Sequence, residues 1–220
     1  MRKIAIIRQT IWNSILLLAL LWFSVLMVRI TLQYIPYSPT AAFLQIKQTE
    51  VESLSWYLPV FYIHVYSALF TLPAGFTQFR KSLLQKAPRL HRQLGWMYAG
   101  TVLLFAAPTG LLMGLVANGG PVAETFFITL SLFWWISTAL AISTARKKDF
   151  AAHRAWMIRS YALALSAITL RLWKVILVKA FAPPPMDVYV IVSGLGWVPN
   201  WLAAEWIIYR QRLNRFPARF

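Results

Sequence analysis

The chain of 220 residues is expected to form an all-α bundle of about six transmembrane helices. Three observations lead there. Apolar residues make up 59% of the chain and charged residues 13%, against roughly 25% charged in an ordinary soluble domain. Several stretches reach the ~20 apolar residues needed to cross a hydrocarbon core. The basic residues cluster in short segments between those stretches, which is how membrane topology is written into a sequence.

The spans are expected near residues 11–34, 58–79, 94–116, 123–144, 156–178 and 188–209, as one membrane domain. The first begins behind Arg2, Lys3 and Arg8, as a secretory signal would. Its apolar run is longer than the ~7–15 residues of a signal core, and no clean small-x-small site follows, so it reads as a retained helix. Pro73, Pro108 and Pro199 fall inside spans and are expected to kink them. The segment 35–57 is the long connection. Tyr37-Ser38-Pro39-Thr40 signals a turn there, and residues 41–51 suit a short interfacial helix.

Six spans put the basic groups on one side. These are Arg2, Lys3 and Arg8; Arg80, Lys81, Lys86, Arg89 and Arg92; Arg146, Lys147, Lys148 and Arg154; and Arg210, Arg212, Arg215 and Arg219. The opposite connections hold Lys47 and Lys179 with Glu50, Glu52, Glu124 and Asp187. The positive-inside rule then places both termini in the cytoplasm. Trp12, Trp96, Trp156 and Trp206 near the inner interface and Trp56 near the outer one fit an aromatic belt.

A net charge of +16 would suggest nucleic acid in a soluble protein, but this distribution excludes that partner in favour of the lipid bilayer. The chain has no cysteine, which removes disulfides, thiolate metal sites, iron–sulfur clusters and cysteine nucleophiles. No nucleotide-binding glycine loop, serine-hydrolase elbow or zinc-protease helix motif occurs.

Chemistry is sought where polar groups sit at membrane depth. In the fifth span His153, Met157, Ser160, Ala164, Ala167, Arg171 and Lys174 share one helical face. In the second, His64, Ala68, Thr71, Gly75 and Gln78 do the same. His64 and Arg171 each lie ~10 Å below the outer surface and could line one outer ligand site. His91-Arg92 and His153-Arg154 open the third and fifth spans, each followed by Trp-Met, as in a weak internal repeat. Two imidazoles at matching depth on different helices suit the axial positions of one b-type haem, with Arg92, Arg154 or Arg159 near the propionates. The alternative is that both His-Arg pairs contact lipid headgroups. Glu205, about one turn from the inner end of the last span, wants a cationic partner, with Arg159, Arg92 and Arg154 in reach.

The segments Gly75-Phe76-Thr77-Gln78-Phe79-Arg80, Leu90-His91-Arg92-Gln93-Leu94-Gly95-Trp96-Met97-Tyr98 and Ala152-His153-Arg154-Ala155-Trp156-Met157-Ile158-Arg159-Ser160-Tyr161-Ala162-Leu163 resemble bacterial membrane proteins of domain-of-unknown-function family 2306. His64, Thr169-Leu170-Arg171, Asn200 and Glu205-Trp206 also fit, so the resemblance runs from the second span to the sixth. It implies a multi-span protein of the bacterial inner membrane and no particular reaction. It also implies that His64, His91, His153, Arg159, Arg171 and Glu205 belong to a shared site pattern.

Three functions remain open on these residues. The first is a redox protein with one b-type haem on His91 and His153 and an outer pocket, at His64 and Arg171, for a donor or quinone-like molecule. The second is a cofactor-free protein that binds or moves an anionic small molecule or lipid at His64 and Arg171. The third is an accessory or assembly subunit.

Overall fold

The structure is a computed structural model describing residues 2–213; the side chains of residues 2–10, 12, 13, 16, 20, 81 and 82 are outside the description. The side chains of Arg2, Lys3, Arg8, Lys81 and Trp12, and the tail carrying Arg215 and Arg219, therefore lie outside the described residues. Eleven α-helices follow in order: α1 Arg2–Leu32, α2 Gln48–Ser53, α3 Tyr57–Thr77, α4 Lys81–Lys86, α5 Pro88–Thr101, α6 Ala107–Gly114, α7 Gly120–Arg146, α8 Phe150–Ala164, α9 Ser166–Phe181, α10 Pro185–Leu195 and α11 Val198–Leu213. A 3₁₀ turn at Ala42–Ile46 precedes α2, and a π-helical turn at Val102–Ala106 joins α5 to α6. No strand occurs among the described residues.

The helices line up as six rods: α1, α3, α5–α6, α7, α8–α9 and α10–α11. Four stretches are long and apolar enough to cross a membrane unaided: Tyr57–Thr77, Pro88–Gly114, Gly120–Arg146 and Phe150–Phe181. They make the centre of the bundle. The apolar part of the first rod is shorter, Leu17–Leu32, and the last rod is interrupted at Gly196-Trp197. α7 packs along α8 and α6, α3 along α5 and α6, and α1 on α3; α10 and α11 close the other flank on α7, α8 and α9.

Local chemistry explains the boundaries. Pro88 and Pro121 occupy first-turn positions, where no N–H is missed. Asp149 caps α8 by accepting from the Ala152 N–H at 3.0 Å. Gly119, at φ +89°, turns the chain into α7. Pro108 follows the π turn, and Pro199 sits in the first turn of α11, so both mark breaks; Pro73 lies inside an unbroken α3.

The exterior carries the large apolar side chains, with Leu18, Trp22, Leu104 and Phe181 all more than 60% exposed. The interior combines aromatic and aliphatic side chains with buried hydroxyls: Tyr98, Trp134 and Leu163 lie inside together with Thr71, Ser131, Ser137, Thr138, Ser160 and Ser193. Large apolar groups outside and hydroxyls inside suit a chain whose outer solvent is lipid. At the closest crossing, a Cβ on Gly75 of α3 would lie 2.5 Å from the Tyr161 ring and 2.9 Å from the Tyr98 ring.

The connection 35–57 forms a cap. Leu44, Tyr57 and Phe61 are almost fully buried in an aromatic cluster with Tyr34 and Tyr62. Lys47 is 1% exposed, pairs with Glu50 at 2.5 Å and donates to the Val116 carbonyl. Asn118 donates to the Ile46 carbonyl. The short helix expected over 41–51 is two pieces, a 3₁₀ turn and α2, folded onto the ends of α3 and α6.

Candidate functional site

A buried hydroxyl network holds α5, α7 and α8 together. Tyr98 Oη meets Ser160 Oγ at 2.7 Å, and Ser160 Oγ meets Thr138 Oγ1 at 2.7 Å. Trp134 Nε1 donates to Tyr98 Oη at 3.3 Å, and Thr138 Oγ1 donates back to the Trp134 carbonyl. In a water-free interior each of these groups would be costly alone, and satisfied together they fix the helices in register.

This network sets the position of the two His-Arg pairs. His91 lies seven residues before Tyr98 on α5, and His153 seven before Ser160 on α8. Seven residues are about two turns, which returns a side chain to the same face. Each histidine therefore lies about 10 Å, two turns, from the Tyr98–Ser160 contact along its own helix, on the face of that helix that carries the contact. His153 Nδ1 donates to the Ala141 carbonyl at 2.8 Å, which leaves Nε2 without an assigned partner. His91 Nδ1 is buried and has no hydrogen-bond partner. Gln78, at the end of α3, closes on Gly95 one turn above His91; a Cβ on Gly95 would be 2.9 Å from Gln78 Oε1.

The neighbouring arginines differ. Arg159 makes a forked pair with Glu205, Nε to Oε1 at 2.5 Å and Nη2 to Oε2 at 2.8 Å, and lies over the Trp156 ring at 4.4 Å. One edge of the guanidinium is thereby taken by the carboxylate and one face by the ring. Arg154 bonds Gln211 through Nε alone, at 3.1 Å, and Arg92 is exposed. Arg146 over Trp96 and Arg210 over Trp206 repeat the cation–π pairing at this end of the bundle.

At the other end, His64 of α3 meets the π turn. Pro108 has no N–H to donate, and a π turn shifts the backbone register, so carbonyls there need other partners. His64 Nδ1 bonds the Ala106 carbonyl at 2.9 Å, and Trp135 Nε1 bonds that of Leu103 at 3.1 Å. Gly110 makes room, since a Cβ there would lie 3.0 Å from His64 Cε1 and from Ser131 Oγ. Arg171 of α9 is half-buried and donates to the Ala167 carbonyl of its own helix. α9 and α3 meet through a buried cluster of Ile168 and Ala167 with Leu72 and Leu69. Among the described residues Arg171 has no carboxylate partner; the ion pairs there are Lys47–Glu50 and Arg159–Glu205.

The face expected to run unbroken from His153 to Lys174 is interrupted. α8 stops at Ala164 and α9 begins at Ser166. Asn200 of α11 donates to the Ala162 carbonyl at 3.1 Å and to Thr169 Oγ1 at 2.9 Å. Thr169 Oγ1 in turn donates to the Gly196 carbonyl. The breaks in the fifth and sixth rods are thus stitched to each other. Lys174 is exposed.

No group of three or more His, Asp or Glu side chains able to hold a metal ion occurs among the described residues. A family model described as predicted membrane protein (DUF2306) matches residues 61–208, from α3 into α11. No curated protein and no solved structure matches the chain.

Proposed function

The chain belongs to the DUF2306 family of predicted membrane proteins, and from that premise we propose that it is a six-span redox protein of the bacterial inner membrane. One b-type haem would be held by His91 and His153. The observation that carries the reading is the pair of imidazoles, each two turns from the Tyr98–Ser160 contact on its own helix, α5 or α8.

The donor set fits that group. His153 gives its Nδ1 proton to the Ala141 carbonyl and so presents Nε2, the second-shell pattern that orients an iron-ligating imidazole. His91 keeps a buried nitrogen that nothing in the protein satisfies. Arg92 and Arg154 retain N–H groups for propionates. The hydroxyl network ties both helices to α7, and both imidazoles are half-buried. When bound, haem supplies one-electron transfer, with a potential tuned by this burial. The positive-inside rule turns the basic end, and with it both termini, to the cytoplasm.

The test is a visible spectrum of protein purified in mild detergent from haem-replete cells, before and after dithionite. A Soret band with sharpened α and β bands on reduction is expected. A colourless preparation, from cells whose control cytochrome is loaded, would end the reading.

A second reading has its own observation: Arg171, without a carboxylate partner among the described residues, lies on a helix that packs against that of His64. Without haem, this outer site would hold an anionic small molecule or lipid headgroup; with haem, it would take the polar head of a quinone-like molecule. Tryptophan quenching by a short-chain quinone and by a fatty-acid anion compares the two. Arg171→Ala should weaken binding of the favoured probe by roughly 10- to 100-fold, the worth of one charge-assisted hydrogen bond. Equal quenching in wild type and variant would remove Arg171 from any ligand site.

A further inference from the structure

At the basic end, a groove of about 600 Å³ opens between the end of α3, the short α4 and the start of α5. We propose that it binds one anionic glycerophospholipid of the adjoining leaflet. The site is separate from the haem reading, because His91, His153, His64 and Arg171 do not line it.

Its floor is apolar, formed by Phe76, Leu83, Leu90 and Leu94, and its mouth carries Arg80 and Lys86. The Arg80 guanidinium lies over the Phe76 ring at 5.3 Å, which places a cation directly above the greasy floor. Among the described residues neither cation has a carboxylate partner. The Thr77 hydroxyl beside them is spent on the Ala74 carbonyl, so the cations supply the polar recognition. Two positive charges over an apolar trough at interface depth complement a phosphate carrying an acyl chain. A free phosphate would have no use for the trough. A zwitterionic lipid would bring its own cation against Arg80 and Lys86. Basic pockets of this kind between transmembrane helices take anionic headgroups.

The experiment embeds the full chain in nanodiscs of phosphatidylcholine doped with phosphatidylglycerol, then counts retained lipids by native mass spectrometry after release into detergent. Wild type should retain one phosphatidylglycerol. Arg80→Gln with Lys86→Gln should lower retention about thirtyfold, from the loss of two interfacial charges. Leu90→Trp, which fills the trough and leaves the charges, should lower it as well. Lys147→Gln with Lys148→Gln removes two exposed charges from the same end of the bundle and should change nothing. The proposal fails if the Arg80/Lys86 variant retains the lipid, or if the Lys147/Lys148 variant loses it equally, which would mean general surface attraction. It also fails if Leu90→Trp has no effect, which would mean a phosphate site without a chain.

Discussion

Replacing His153 with alanine should abolish the haem spectrum while the chain still inserts and purifies. The side chain touches the bundle through one hydrogen bond to the Ala141 carbonyl, and the helix around it is held by the Ser160 network two turns away. Losing the imidazole costs the fold about 1 kcal/mol, one ordinary hydrogen bond. Losing an axial ligand removes half of the iron's attachment to protein. His91→Ala should behave alike, and more mildly for the fold, since its Nδ1 makes no bond that could be lost. His64→Ala should leave the spectrum intact, because His64 sits against the π turn at the other end of the bundle. An unchanged Soret band in the His153 variant would refute the ligand assignment, and bleaching in all three variants would point to general loss of structure.

The second large effect is structural. Gly75→Leu should prevent α3 from seating in the bundle. The first atom added would lie 2.5 Å from a carbon of Tyr161 and 2.9 Å from one of Tyr98. Neither ring can swing aside: Tyr161 is tied to the Leu72 carbonyl at 3.1 Å, and Tyr98 to Ser160 and Trp134. Overpacking of a fixed core costs about 1–3 kcal/mol, and more where nothing yields. The readout is thermal unfolding and monodispersity in detergent, with Gly100→Leu as the comparison, since a Cβ on Gly100 meets nothing within 4 Å. If both variants melt together, the crossing at Gly75 is not the constraint described.

Much of this architecture is visible in the amino acids. Hydropathy and basic clusters place the rods because the cost of exposing backbone or charge to lipid is large and local. The two His-Arg segments open α5 and α8, and the proposed matched depth of His91 and His153 rests on that. The partner of Glu205 could be narrowed to three arginines, and choosing Arg159 required knowing how α11 lies on α8. What escaped are events between helices. The stop at Leu165 comes with Asn200 reaching across to the Ala162 carbonyl, and no local residue announces it. The π turn is hinted at only by Pro108. Tyr98 and Thr138 read as ordinary span residues until three helices bring their hydroxyls to one point. Lys47, which reads as a loop charge, is among the most buried side chains of the cap. The family match adds a boundary: it begins at Phe61, so α1 and most of the cap lie outside it.

That cap bears on how molecules arrive. With Leu44, Lys47, Tyr57 and Phe61 nearly inaccessible and the loop latched to Val116 and Asn118, the cap is packed down on the ends of α3 and α6. On the proposed ligand reading, a visitor to His64 and Arg171 would then come sideways, between rods, out of the hydrocarbon. Occupancy would track how strongly a compound partitions into the bilayer rather than its aqueous concentration, and water-soluble anions would be poor competitors. On that reading the cap would act as a filter on solubility, selecting lipophilic molecules before any side chain recognises them.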